Sequence, residues 1–184
     1  MKVQPLRFDR NVIDDILAGR KVQTRRILKP QPPDTTVNWL REFGPEGKWV
    51  AVEEPPPPPS RRRARRVGCP YGDPGISIRL YDEAGTPFAD ATLVGVRVQR
   101  LQDISDADVA AEGCAEGHGP GGGFLPGIPM KSVFALAWCE TYGSRAWAAN
   151  PWVWVLEFRV TRPLPYPPQP AAAPSLQSAG QESR

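Results

Sequence analysis

The sequence predicts an α+β fold, in which strands of alternating side chains are combined with a few short amphipathic helices. The strand pattern is clearest from Ala91 to Leu101, where Val94, Val96 and Val98 alternate with small or polar residues. The helical pattern is clearest between residues 129 and 142, where apolar residues recur with a spacing of three or four. A chain of 184 residues that is 40% hydrophobic is long enough for one domain with its own core.

The first predicted helix lies near the N-terminus. Asp9 is expected to cap it, and Phe8 and Ile13 stand at the positions of a hydrophobic staple. Residues 24 to 28 include β-branched and apolar side chains and predict a short strand. The turn between the helix and this strand, Gly19 to Arg26, presents a lysine, a threonine and three arginines, so we expect it to face a ligand.

The later elements are predicted in chain order. A short strand spans Ile76 to Tyr81, and Ser105 starts a short helix that runs to about residue 112. A second helix occupies residues 129 to 142 and is expected to end at Gly143. The closing strand, Trp152 to Val160, places three large apolar residues and two tryptophans on one face: Trp152, Trp154, Leu156, Phe158 and Val160.

Four segments of the chain closely resemble motifs of small phage and prophage proteins of the ASCH family. They are Leu17–Arg26, Cys69–Gly72, Arg100–Gly113 and Asn150–Phe158, and they follow the family order over roughly residues 3 to 160. The resemblance implies a PUA-like fold, which is a mixed, partly closed β-barrel with peripheral helices. It also implies a cleft suited to RNA or a modified nucleoside.

Part of the ASCH family removes the acetyl group from N4-acetylcytidine, using a lysine and a threonine of this turn and a glutamate from a later strand. Lys21 and Thr24 match by position. By this resemblance, Thr24 would supply the hydroxyl nucleophile and Lys21 a neutral amine that accepts its proton. The Trp-Val-Arg-Glu element of the phage relatives is missing after Gly72. Glu83, with Asp82 beside it, is the nearest acidic substitute.

Arginines and a tryptophan complete the predicted binding site. Arg20, Arg25 and Arg26 are expected to bind phosphate, and Trp147, in a polar turn, is expected to stack on a base. Because Arg25 and Arg26 alternate across a strand, we expect one of them to face the cleft and the other to reach solvent or a carboxylate. Trp152 and Trp154 are assigned to the core instead.

Three functions stay open from the sequence. The first is a phage-type protein that binds RNA or a modified nucleoside in a cleft lined by lysine, threonine and arginine. The second is a small hydrolase that uses Lys21 and Thr24, either an amidohydrolase acting on N4-acetylcytidine or a ribonuclease. The third is a non-catalytic phage accessory or interaction protein, which the loss of the Trp-Val-Arg-Glu element favours.

Positive charge is concentrated at the front of the chain. Through Arg66 there are 15 lysines and arginines against 8 acidic residues, and the remainder has 8 against 12. Five arginines between residues 61 and 66 follow the proline run 55–59. Residues 30–66 therefore predict a flexible insertion in a single domain of residues 1–162, either as a phosphate-binding arm or as a solvated loop. Residues 163–184 predict a disordered tail.

The sequence suggests a cytoplasmic protein without cofactors. No apolar run approaches the length of a membrane span, and the N-terminus lacks the apolar stretch of a signal peptide. Three cysteines without a Cys-x-x-Cys pair argue against a disulfide framework. Cys114 and His118 are a single close pair of ligand types, so we expect no metal site. The glycine run 119–123 lacks the lysine and hydroxyl residue of a phosphate loop.

Overall fold

The computed structural model describes residues 3–44, 47–54, 65–115, 118–119 and 127–167. Over these residues the chain forms strands joined by short helices, with 3-10 turns at Arg10–Val12 and Leu101–Asp103. The elements are β1 (Leu6–Phe8), α1 (Ile13–Leu17), β2 (Gln23–Ile27), β3 (Thr36–Arg41), β4 (Trp49–Glu53), β5 (Arg66–Val67), β6 (Ser77–Asp82), β7 (Pro87–Arg100), α2 (Asp106–Ala111), α3 (Met130–Tyr142), α4 (Ser144–Ala148) and β8 (Trp152–Pro163).

The main sheet is a curled half-barrel of five strands in the order β1-β6-β7-β8-β2. β1 runs parallel to β6, and the other neighbours are antiparallel. β1 and β2 form the two edges of this sheet, so the half-barrel has an open side between them. The mixed sheet with peripheral helices confirms the predicted α+β class.

β8 separates two hydrophobic clusters because its side chains alternate between two faces. Trp152, Trp154, Leu156 and Phe158 lie in the larger cluster inside the half-barrel, as the sequence predicted. The opposite face packs Val153 and Val155 under α2 and α3. This strand is therefore buried on both sides from Trp152 to Leu156, and its residues belong to both hydrophobic clusters.

The predicted helices are confirmed with small changes. Ser105 caps α2, its hydroxyl accepting a hydrogen bond from the Asp108 amide at 3.2 Å. α3 follows Pro129 and ends before Gly143, whose φ of 85° suits glycine. The first helix is shorter than predicted, since a 3-10 turn precedes its five α-helical residues, and the Asp9 side chain makes no capping hydrogen bond.

In their described part, residues 30–66 form strands β3 and β4 and the start of β5. β3 and β4 pair as an antiparallel hairpin, and β5 adds a third strand. Trp39 and Trp49 are buried and make edge-on contacts with Trp152 and Trp154, at centroid distances of 6.2 and 6.4 Å. The proline run and Arg61–Arg63 lie outside the described residues.

The first residues of the predicted tail 163–184 are described as far as Pro167. β8 continues to Pro163, and the Leu164 amide donates to the Phe88 carbonyl at 2.9 Å. Tyr166 packs against the Phe88 ring, and its hydroxyl donates to Asp82 Oδ2 at 3.0 Å. Residues 168–184 lie outside the described residues. None of the helices in the described ranges combines the length and apolar character that crossing a membrane requires.

Candidate ligand-binding cavity

A cavity of about 430 Å³ opens between the two edge strands of the half-barrel and helix α3. Its size falls within the range of about 300–1,000 Å³ that is usual for small-molecule sites. Its floor comes from β2 and the end of α2, one side from β1 and the turn after it, and the other side from α3. The lining residues used below are Arg7, Asp9, Lys21, Thr24, Arg25, Arg26, Glu83, Glu112, Phe134, Trp138 and Tyr142.

Lys21 is a buried cation held by a buried carboxylate. Its Nζ donates to Glu112 Oε2 at 2.7 Å and to the Glu112 backbone carbonyl at 2.8 Å. Lys21 and Glu112 also form an isolated antiparallel bridge, which fixes the end of α2 against the start of β2. The predicted lysine therefore lines the cavity as an ion-paired ammonium group.

Glu112 also pairs with the fully buried Arg25. Arg25 Nη1 donates to Glu112 Oε1 at 3.0 Å and to Gln23 Oε1 at 2.6 Å. Each oxygen of the Glu112 carboxylate therefore serves a different cation. This arrangement places one buried anion between two buried cations.

Asp108 supports this network from the first turn of α2. Its Oδ2 lies 3.1 Å from Arg25 Nη2, and its Oδ1 accepts from Gln23 Nε2 at 3.0 Å and from Arg97 Nη2 at 2.5 Å. Burial opposes ionisation of Asp108, but these hydrogen bonds and the charges of Arg97 and Arg25 outweigh it and lower its pKa. Arg97 also bonds to Glu157, which ties β7 and β8 to the same cluster.

Thr24 and Arg26 form a second pair on the floor. Thr24 is 2% exposed, and its Oγ1 accepts a hydrogen bond from Arg26 Nη1 at 2.7 Å. Arg26 Nη2 donates to the Arg7 carbonyl at 2.6 Å, so its side chain spans the open side between β2 and β1. The same guanidinium lies over the Phe8 ring at 5.2 Å. Both Arg25 and Arg26 line the cavity, although the strand alternation led us to expect only one of them there.

Glu83 lines the cavity at its mouth, on the turn after β6. A hydrogen bond and like-charge repulsion from Asp9, which also lines the cavity, raise the pKa of Glu83. Asp82, the alternative acid, is not a lining residue: its side chain accepts hydrogen bonds from the Thr86 amide and the Tyr166 hydroxyl.

Helix α3 gives the cavity an aromatic wall, which we define as Phe134, Trp138 and Tyr142. The Trp138 and Tyr142 rings lie 4.3 Å apart between centroids, with an interplanar angle of 32°. Tyr142 is 37% exposed, whereas Phe134 and Trp138 are buried. An exposed ring backed by a buried one offers a flat stacking surface.

Two predicted binding residues lie outside the cavity. Arg20 is exposed, and its side chain pairs with Asp15 at 2.6 Å. Trp147, on α4, packs edge-on against Phe134 at 6.2 Å, and its carbonyl accepts a hydrogen bond from Gln102. Phe134, Trp138 and Tyr142, the aromatic residues of α3, line the cavity, whereas Trp147 of α4 does not.

Sequence reasoning missed Glu112, the acid that contacts Lys21. Glu112 belongs to the Arg100–Gly113 motif of the resemblance, but nothing in the local sequence pairs it with a lysine 91 residues away. The available clue in the sequence was a glutamate at the end of a short helix, directly before Gly113. The structure shows that this glutamate is buried. Arg7 and the aromatic wall were missed for the same reason, since only the tertiary fold brings β1 and α3 to β2.

Within the described ranges no group of three or more histidine, cysteine and acidic residues is placed to hold a metal ion. His118, on the loop after α2, is exposed. The side chains that line the cavity supply cations, carboxyls, an amide, three hydroxyls and aromatic rings.

Comparisons with known proteins found similar solved structures. No family model matches the chain, and no curated protein matches it either. A protein of the DUF984 family from Enterococcus faecalis V583 is 12% identical, with a TM-score of 0.47, over 90% of this chain and 84% of its own. An ASCH domain from Lactobacillus crispatus JV V101 is 12% identical, with a TM-score of 0.40, over 81% of this chain and 69% of its own. ASCH is the family that the sequence motifs resemble.

Proposed function

We propose that the protein binds RNA or a modified nucleoside in the cavity between β1, β2 and α3. The observation that carries this proposal is that cationic floor residues and an aromatic wall line one cavity of ligand size. Positive charge attracts a phosphate backbone, and an exposed ring attracts a base. The ASCH-type motifs of the sequence agree with this assignment, and we expect the protein to act in the cytoplasm, as those phage and prophage proteins do.

The hydrogen bonds of the floor favour binding over catalysis. The Lys21 amine donates to Glu112, and the Thr24 oxygen accepts from Arg26. A general base must instead accept the proton of the nucleophile. In this arrangement Lys21 is engaged as a donor, and a lone pair of the Thr24 hydroxyl is occupied.

The binding proposal is tested by titrating a fluorescently labelled single-stranded RNA at several salt concentrations. We expect the affinity to fall as salt rises, and Arg26→Gln to weaken binding about tenfold, which corresponds to about 1.4 kcal/mol. Arg79→Gln is the matched control, because Arg79 is an exposed arginine paired with Asp90 and does not line the cavity. Equal losses in the two variants, or binding that is independent of salt, would contradict the proposal.

A second candidate function is amide hydrolysis. It is favoured because Lys21, Thr24 and the carboxyls of Glu112 and Glu83 all line the same cavity. Thr24 Oγ1 would attack the acetyl carbon of N4-acetylcytidine and lose its proton to a neutral Lys21 amine. That proton would pass to the departing cytidine amine, and water would then release acetate from Thr24.

Chromatography of N4-acetylcytidine incubated with the protein tests this candidate. Turnover should disappear in Lys21→Met and Thr24→Ala, while Glu83→Gln and Glu112→Gln identify the acid. Persistent turnover in Thr24→Ala would show that Thr24 is not the nucleophile. A protein that neither binds RNA nor hydrolyses the nucleoside would support the third alternative, a non-catalytic accessory protein.

A further inference from the structure

The cations of the cavity differ in how their charge is compensated. Lys21 and Arg25 each have Glu112 as a carboxylate partner. Arg26 makes hydrogen bonds only to neutral oxygens, which are Thr24 Oγ1 and the carbonyls of Arg25 and Arg7. Within the part of the chain that the structure describes, Arg26 is thus a half-buried guanidinium without a carboxylate partner.

Arg7 is a second cation of this kind, and it lies beside the first. Its Nη1 contacts the backbone carbonyls of Asp82 and Glu83, each at 3.3 Å, and its guanidinium lies 6.0 Å from the centre of the Tyr81 ring. Its own carbonyl accepts the hydrogen bond from Arg26. Two guanidinium groups, one from each edge of the half-barrel, therefore line the cavity without carboxylate partners among the described residues.

Two uncompensated guanidinium groups favour an anionic ligand group. Removing an unpaired charge from water is costly, which applies to the half-buried Arg26, and a ligand anion would supply the missing partner to Arg26 and to the exposed Arg7. Guanidinium groups bind phosphate through two parallel hydrogen bonds. The Asp9 and Glu83 carboxyls also line the cavity, but neither forms an ion pair with Arg7 or Arg26 among the described residues.

The aromatic wall lies on the other side of the same cavity. Tyr142 is its exposed ring, and the half-buried Tyr71 hydroxyl is influenced by both Arg26 and Tyr142. Arg26 and Tyr142 both line this cavity of about 430 Å³, so one nucleotide can contact both of them.

We propose that the cavity binds a nucleotide unit rather than a free nucleoside, with the phosphate on Arg7 and Arg26 and the base on Tyr142. This inference rests on the proposed function and narrows its ligand. It also gives Arg7 and Tyr142 roles in recognition, the first for charge and the second for stacking. Because the phosphate and the base belong to one ligand, binding of the phosphate to the arginines orients the base toward Tyr142.

The test compares cytidine with cytidine 5′-monophosphate and cytidine 3′-monophosphate by titration calorimetry. We expect at least one monophosphate to bind the protein tenfold or more tightly than cytidine. Arg26→Gln and Arg7→Gln should remove that advantage and leave cytidine binding nearly unchanged. Arg7→Gln is included because the side-chain contacts of Arg7 are at the surface, so the variant keeps the fold if Arg26→Gln does not.

Tyr142→Ala should weaken the binding of cytidine and of the monophosphate by the same factor. The ratio of the two affinities should therefore stay unchanged. Arg79→Gln is again the control for a lost surface charge. A phosphate advantage that survives both arginine variants, or Tyr142→Ala binding with full affinity, would overturn the assignment of these residues.

The inference and the proposed function can fail separately. Salt-dependent RNA binding together with equal affinities for cytidine and both monophosphates would overturn the nucleotide assignment and leave RNA binding in place. Absence of binding by RNA, monophosphates and nucleosides alike would overturn both.

Discussion

Glu112 carries the negative charge on which two buried cations of the cavity depend. Its two oxygens lie 2.7 Å from Lys21 Nζ and 3.0 Å from Arg25 Nη1, and its side chain is 4% exposed. Removing one partner from a buried ion pair leaves an uncompensated charge and costs about 3–5 kcal/mol. We expect Glu112→Gln to lower the free energy of unfolding by that amount, measured by urea denaturation.

Asp106→Asn is the matched control for this prediction. Asp106 lies on the same short helix, is exposed and sits in its first turn, so its loss should cost no more than about 1 kcal/mol through the helix dipole. Similar losses in the two variants would show that the Glu112 pairs contribute nothing beyond ordinary surface electrostatics.

Asp108 gives the protein a predictable response to acid. Its pKa is lower in the folded chain than the unfolded value of about 3.9, so its contribution to stability is present above the unfolded value and is lost as pH falls through the folded value. We expect Asp108→Asn to be less stable than the unchanged protein at pH 7 and to lose less stability between pH 5 and 2. Denaturation curves across that range measure both slopes, and parallel slopes would contradict the prediction.

At the scale of the elements, the β3–β4 hairpin is held to the main sheet by tryptophans. Trp39 is 4% exposed and contacts Trp152, whereas Leu40, the next residue of the same strand, is 59% exposed. Truncating a large buried aromatic typically costs about 3–5 kcal/mol. We expect Trp39→Ala to destabilise the protein by that amount and Leu40→Ala by less than about 0.5 kcal/mol. Thermal unfolding measures the difference, and comparable midpoints would show that the hairpin is not docked.

Element predictions from the sequence succeeded where a pattern is local. The alternation on β8, the Ser105 cap and the stop at Gly143 each depend on neighbours within a few residues, and each was predicted. The hairpin at Trp39 was missed because prolines and arginines dominate the composition around it. Strand β3 is stabilised by the contact of Trp39 with Trp152. Because Trp152 is more than 100 residues away, a pattern of neighbouring residues cannot predict this contact.

The candidate site also combines residues that a local motif predicts with residues that only the fold brings together. Lys21, Thr24, Arg25 and Arg26 are adjacent in sequence, so one motif predicted them together. Glu112 comes from a different element, and its role follows only from the Lys21 bridge. The partners of the arginines depend on the fold: Arg20 pairs with the nearby Asp15, whereas Arg26 donates to neutral oxygens of the floor. The sequence alone did not distinguish these two arginines.

At the scale of the whole molecule, charge is unevenly distributed along the chain. The part through Arg66 carries the positive excess, and the remainder carries more acidic than basic residues. A polyanion should therefore be attracted to the first part. Replacing Arg61, Arg62 and Arg63 together by glutamine should lower the salt dependence of RNA binding, with a slope of log affinity against log salt that falls by about 2 at most.

The unfolding midpoint of this triple variant serves as its control, and we expect it to match that of the unchanged protein. An unchanged salt slope would favour the solvated loop over the phosphate-binding arm, while the cavity could still bind RNA by itself.

The three cysteines have a practical consequence. Burial raises the pKa of Cys69 and of Cys114 to about 12, so their thiols stay protonated and react slowly near neutral pH. Cys139 is only partly buried and lies on α3 between Trp138 and Glu140, which both line the cavity. We expect a maleimide dye to label the folded chain once and the urea-unfolded chain three times, as counted by mass spectrometry. The native chain would then carry a fluorescent reporter beside the cavity without any engineered cysteine.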